Sequence, residues 1–178
     1  ANEANGFARS YATSAKGGFD RAFLEDTVGN DVYVASGNAF ARMYGADYAN
    51  EANGFARSFA TATVGYDRAF FEDTAGNDAY QAWSDRASMA GSGYTNNAEN
   101  FNLTFAYSTL GDDAATLYDT PSDDAVHAEA WGAYLTNGVI RHEAHDFATV
   151  TAVSENGGTD QAFVGTIDYL FNLLGSWN

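Results

Sequence analysis

The densest chemistry in the chain is carried by oxygen. Three acidic turns recur: Asp26-Thr-Val-Gly-Asn30-Asp31, Asp73-Thr-Ala-Gly-Asn77-Asp78 and Asp119-Thr-Pro-Ser-Asp123-Asp124. Hard cations such as Ca2+ take about six to eight oxygen donors from carboxylates, amides and backbone carbonyls. Asp26, Asn30, Asp31, Asp73, Asn77, Asp78, Asp119, Asp123 and Asp124 are therefore candidate ligands of a calcium-type ion. The same residue types also build plain turns, in which Asp and Asn bond the local backbone and Gly supplies a positive φ. Both readings stay open on the sequence.

Imidazole chemistry is confined to one region. The chain has three histidines, His127, His142 and His145, and Arg141-His-Glu-Ala-His-Asp146 is its most polar segment. If the protein is an enzyme, Arg141, His142, His145 and Tyr134 are the groups from which a site must be built. The fitting reaction is that of a polysaccharide lyase or epimerase, which needs a base at a sugar carbon and a cation to neutralise the uronate carboxylate. The spacing is not that of a zinc helix, because the second histidine comes one residue early for H-E-x-x-H. On a flat strand, residues three apart face opposite sides, so His142 and His145 act together only if a turn intervenes. The alternative is a solvated, variable turn. Lys16 is the sole lysine, and a formal charge of −16 repels acidic glycans.

Aromatic rings are the third resource, with 13 Phe, 11 Tyr and 3 Trp. Phe23, Phe70 and Phe163 recur at equivalent places, two of them beside Arg21 and Arg68. Exposed rings in register stack on sugars or pack on a neighbouring chain. Cross-strand ion pairs to Glu25, Glu72, Asp20 and Asp67 account for the arginines without a ligand.

What must position these groups is a repeat. ANEANGFARS at 1–10 returns unchanged at 49–58, and DRAFLEDTVGNDVY at 20–33 returns as DRAFFEDTAGNDAY at 67–80 and more loosely as DAATLYDTPSDDAV at 113–126. GGFDRAFL at 17–24 is echoed by GGTDQAFV at 157–164. The repeats fall at about 1–52, 53–98 and 99–146, with a truncated copy at 147–166. Within each the apolar period is two, and runs are bounded by Gly, Asn and Asp, which is the pattern of strands and tight turns. Ala22/Leu24, Tyr33/Ala35, Ala41/Met43 and their copies stay small or apolar and read as the inner face. Phe7, Arg9 and Tyr11 read as outward, with Ala8, Ser10 and Ala12 inside, although Phe101, Leu103 and Phe105 in the third repeat look like core and leave this face open.

The expected fold is all-β: one domain over 1–178, a parallel β-helix or solenoid. Each 46–48-residue repeat would hold roughly four strands in about two coils, with copies piled one above another. Residues 167–178 read as a cap, with Asp168 and Gly175 bounding a short helix. The chain starts inside a repeat without a leader segment, which suggests the C-terminal part of a larger secreted protein.

Leu, Ile, Val and Phe (8, 2, 9 and 13) are few for a globular core. Register, more than bulk hydrophobicity, must therefore hold the fold. Net acidity argues against nucleic acid as a partner. No apolar run is long enough for membrane insertion as a helix. No cysteine is present to form disulfides or thiolate metal sites.

Gly29-Asn30-Asp31, Gly76-Asn77-Asp78 and Gly157-Gly158-Thr-Asp160 resemble the calcium-binding repeats of RTX-type secreted proteins. The nine-residue period of that family is missing, and Ser122 replaces the glycine in the third repeat. The wider pattern, D-x-A-x-L-x-D-x-x-G-N-D-x-Y, is similar to secreted bacterial β-solenoid repeat proteins. That resemblance implies an extracellular setting and a solenoid, and it carries over no catalytic residue. The expected function is a non-catalytic module that binds a polysaccharide, cell-surface or matrix component, or self-associates through its ends or aromatic rows. The lyase or epimerase is the alternative, and Ca2+ is the one cofactor in view.

Overall fold

The structure, a computed structural model, describes residues 8–14, 18 and 20–178. Phe7 and Lys16 lie outside the described residues. Among those residues the chain is all-β without a helix, a β-solenoid of about four turns. Its strands are β1 (Arg9–Thr13), β2 (Arg21–Glu25), β3 (Val32–Ser36), β4 (Phe40–Tyr44) and β5 (Ala49–Asn53). The second copy of this unit is β6 (Arg57–Thr61), β7 (Arg68–Glu72), β8 (Ala79–Ala82), β9 (Arg86–Gly91) and β10 (Tyr94–Glu99). The third is β11 (Leu103–Tyr107), β12 (Ala114–Tyr118), β13 (Ala125–Glu129), β14 (Gly132–Thr136) and β15 (Arg141–His145). A fourth begins with β16 (Thr149–Ser154), β17 (Gln161–Val164) and β18 (Leu170–Gly175).

The unit thus holds five strands rather than four, and the coil is longer than the expected half-repeat. Stacked positions lie 35 to 40 residues apart, except between β16 and β18, where they lie 21 apart. The cause is a zigzag: β3-β4-β5, β8-β9-β10 and β13-β14-β15 are each antiparallel within one sheet. Tight turns make the reversals, with Gly37 at φ 44° and Gly93 at φ 85°, backbone that other residues adopt only at a cost.

The zigzags alternate between layers. The larger, ten-stranded sheet runs β1-β5-β4-β3-β7-β11-β15-β14-β13-β17, and the smaller, eight-stranded one β18-β16-β12-β8-β9-β10-β6-β2. Each unit crosses between sheets an odd number of times, so β3, β8 and β13 sit in the larger, smaller and larger sheet in turn. This corrects the simple pile of like on like. Strands that stack, such as β3, β7, β11 and β15, come from different places in the unit.

The inner face is the expected one. Tyr33/Ala35, Ala69/Phe71, Tyr80/Ala82, Leu117, Val126/Ala128 and Met43, Met89 and Leu135 form one buried core between the sheets. Tyr11 points outward, as read. Small Ala side chains alternating with single large ones let two flat sheets approach, and this replaces the missing Leu, Ile and Val.

The C-terminal helix is overturned. Residues 170–175 form β18, in parallel register with β16 from Thr149↔Leu170 to Ser154↔Gly175. Phe171 and Leu173 there pair with Val150 and Ala152, as Tyr80 and Ala82 pair with Ala115 and Leu117. Apolar residues at 167, 170, 171 and 174 mimic a helical stripe. A ready strand edge supplies backbone partners that so short a helix would lack, and the strand wins.

Candidate functional site

The acidic turns lie along the seams between sheets, and each of the nine candidate ligands has one side-chain oxygen that accepts a backbone amide. Asp31 Oδ2 accepts from the Thr27 amide at 3.1 Å, Asp78 Oδ2 from Thr74 at 2.9 Å and Asp124 Oδ2 from Thr120 at 2.8 Å, each closing its own turn. Asp26, Asp73 and Asp119 reach the next coil instead, accepting from the amides of Thr63, Thr109 and Glu155 at 2.6–2.9 Å. Asn30, Asn77 and Asp123 likewise accept from Tyr66, Asp112 and Thr159. Asp26, Asn30, Asp73, Asn77, Asp119 and Asp123 are therefore rungs of a hydrogen-bond ladder that holds one coil to the next, while Asp31, Asp78 and Asp124 brace the turns themselves.

The structure adds residues that the sequence reading passed over as metal ligands. Asp67, Asp113 and Asp160 accept the amides of Asp31, Asp78 and Asp124 at 2.7, 2.6 and 2.9 Å. Carboxylate oxygens of Asp26, Asp31 and Asp67, and of Asp73, Asp78 and Asp113, come within 4.8 Å of one another. The recurring Gly-x-Asp of Gly18-Phe-Asp20, Gly65-Tyr-Asp67, Gly111-Asp-Asp113 and Gly158-Thr-Asp160 is the signal that marks them. Burial, and then the charges of Asp26 and Asp31, push the Asp67 carboxyl up against the hydrogen bond from Asp31. Asp113 is raised for the same reasons by burial and by Asp73 and Asp78.

The histidine segment divides as its spacing demands. His145 faces out and His142 faces into the core. Two polar triplets cross that core: Tyr33 Oη, Ser58 Oγ and Asn96, with Ser58 donating to Asn96 Oδ1 at 2.6 Å, and Tyr80 Oη, Thr104 Oγ1 and His142 Nδ1, the last pair at 2.7 Å. His142 thus occupies the place that Asn96 holds one unit earlier. Asn96 Nδ2 donates to the Gly37 carbonyl at 2.8 Å, and His142 faces the equivalent Trp83 carbonyl. Burial drops the His142 pKa to about 4, so the ring is neutral at pH 7.

Outside, Arg141 and His145 both clasp Glu143, at 2.6 and 2.8 Å, and the Arg141 guanidinium lies 3.7 Å from the Tyr134 ring centroid. Arg141, Tyr134 and His145 share the outer face of the larger sheet, whereas His142 is on the other side of it.

Phe23, Phe70 and Phe163 do not form one row, because the unit alternates sheets. Phe23 stacks on Phe59 at 5.1 Å in the smaller sheet, Phe70 on Phe105 at 4.9 Å in the larger, and Phe163 on His127 at 4.7 Å farther along the larger sheet. His127 continues to Tyr134 at 4.6 Å. Near-parallel rings at strand spacing cover one another's faces and turn their edges to solvent. The free faces are those of the outermost rings, Phe23 and Phe163. Among the described residues, neither Arg21 nor Arg68 forms the ion pairs expected from sequence.

No protein-family model matches the chain, and neither the curated proteins nor the solved structures give a match. The class is thus defined by the fold alone: an all-β solenoid of about four turns.

Proposed function

We propose that the protein is a non-catalytic structural module that self-associates end to end, the β17/β18 end of one copy receiving the β1/β2 end of the next. One observation carries this reading. Val164 and Leu173 occupy inward positions, paired with the fully buried Ala128 and Ala152, yet they are 52% and 41% exposed. Among the described residues nothing covers them, and β17 and β18 are the outermost strands of their sheets, with edges that are templates for a further strand. β1 runs in the same direction as β17, so a translated copy continues the larger sheet in parallel. The Phe163 face then meets Tyr11, which is exposed at the opposite end. A head-to-tail contact of this kind does not close on itself and gives a filament.

The resemblance to secreted solenoid repeats supports an extracellular setting. Binding of a polysaccharide or surface component has its best support at the free ring of Phe23, 71% exposed beside Arg21. The lyase or epimerase alternative finds less support, since its four candidate residues are split between the outer face and the core.

Light scattering and sedimentation across protein and salt concentration test the assembly. Species should grow with both, because salt screens the −16 charge that holds copies apart. Val164→Asp with Leu173→Asp should remain monomeric under the same conditions. A wild-type chain that stays monomeric at millimolar concentration and high salt would sink the reading.

A further inference from the structure

We propose that Asp73, Asp78 and Asp113, together with the Tyr94 hydroxyl, hold a divalent cation of the Ca2+ class, and that Asp26, Asp31 and Asp67 with Tyr48 hold a second. The inference begins from polar atoms left without partners. Asp78 Oδ1 and the Tyr94 hydroxyl are both buried with no hydrogen-bond partner beyond each other, in residues that are each 3% exposed. They face the same space: a Cβ placed on Gly91 would strike both Asp78 Oδ1 and the edge of the Tyr94 ring. Gly45 stands in the same relation to Asp31 and Tyr48, whose hydroxyl is also unpartnered. Neither glycine has a positive φ, so what selects them is room for the carboxylate.

Charge gives the second argument. Each triad gathers three carboxylates, and no ion pair among the described residues reaches them. Buried charge of one sign is costly unless something neutralises it. The backbone amides at Asp73 and Asp113 leave each oxygen a lone pair free, and the donors are oxygen alone, the set a hard cation takes.

The third repeat is a built-in control. Asn137 and Ile140 replace the glycine and the tyrosine. Asn156 donates to Asp119 through both its amide and its side chain, at 2.7 Å each, which engages both Asp119 oxygens. Asp124 Oδ1 is unpartnered there too, but among the described residues its neighbouring carboxylates do not gather with it as the other two triads do. The proposal therefore specifies two sites and not three.

Calorimetric titration of the EDTA-stripped protein with CaCl2 at constant ionic strength should give two bound ions per chain and a raised melting temperature. Asp113→Asn and Asp67→Asn keep the acceptor for the neighbouring amide; each should remove one ion, and the pair both. Asp160→Asn should leave the count at two. Tb3+ luminescence excited through tyrosine should fall by about half in Tyr94→Phe, with Ca2+ affinity at that site weakened roughly tenfold. This variant keeps every carboxylate, so it reports even if the Asn variants fold poorly. No saturable Ca2+ binding up to millimolar, or two ions still bound by the Asp67→Asn/Asp113→Asn pair, overturns the proposal.

Discussion

Phe71→Ala is expected to lower stability by about 3–5 kcal/mol, the range for removing a fully buried ring and leaving a cavity. Phe71 is wholly buried and lies between Tyr33 and Tyr80, with ring centroids 5.9 Å away on each side. Its neighbours are tied by hydrogen bonds to Ser58 and Thr104, so they cannot collapse into the gap without breaking those bonds. The melting midpoint should fall by roughly 10 °C at this size. Leu24 and Leu117 fill the equivalent places, so Phe71→Leu should cost less than about 1.5 kcal/mol. Because each coil touches only its neighbours, the alanine variant should also uncouple the two ends and broaden or split the calorimetric transition. A drop below about 1 kcal/mol would show that this ring does not hold the core together.

Acid should act through His142. Its pKa in the fold is about 4 against an ordinary 6.5, because burial disfavours the charged ring and only the Trp83 carbonyl works the other way. Thr104 beside it is neutral, and the pairing of β14 with β15 sets Leu135 opposite it, so no charge offsets the burial. Below pH 6.5 the unfolded chain takes up a proton that the fold refuses, so stability falls with pH until about 4. The loss approaches about 1.4 kcal/mol per pH unit and totals about 3 kcal/mol. His142→Asn restores the group present at Asn96 and should abolish this component. The measurement is the difference between the two proteins' unfolding free energies from pH 7 to pH 4, which cancels the carboxylates common to both. Curves that stay parallel over that range would show that the ring ionises freely in the fold.

The inner face was legible from residues alone, since period-two alternation and the persistence of Ala, Leu and Met across copies leave one side to bury. The opposite orientation of His142 and His145 followed from the same rule. The path of the chain did not follow. Nothing in Tyr33 or Tyr80 says which sheet it lies in, because both faces of the unit are built alike and only the parity of crossings distinguishes them. The acidic turns were read as candidate cation ligands or as plain turns, and Asp67 and Asp113 were missed because the amides they accept come from the preceding coil. Residues 170–175 deceived for a related reason: the edge of β16 that captures them is invisible from the local sequence.

The alternating unit also fixes a geometry for evolution by duplication. From β3 to β13 is five steps along the larger sheet, about 24 Å at the usual strand spacing, and it spans two units. Copying one unit inverts everything that follows it, left for right, and only an even number restores the original aspect. A surface feature stamped into every copy therefore decorates both sides of the rod equally, each at a 24 Å spacing and offset by half that distance. A lineage that lengthens by single copies must keep both sides fit for the same surroundings.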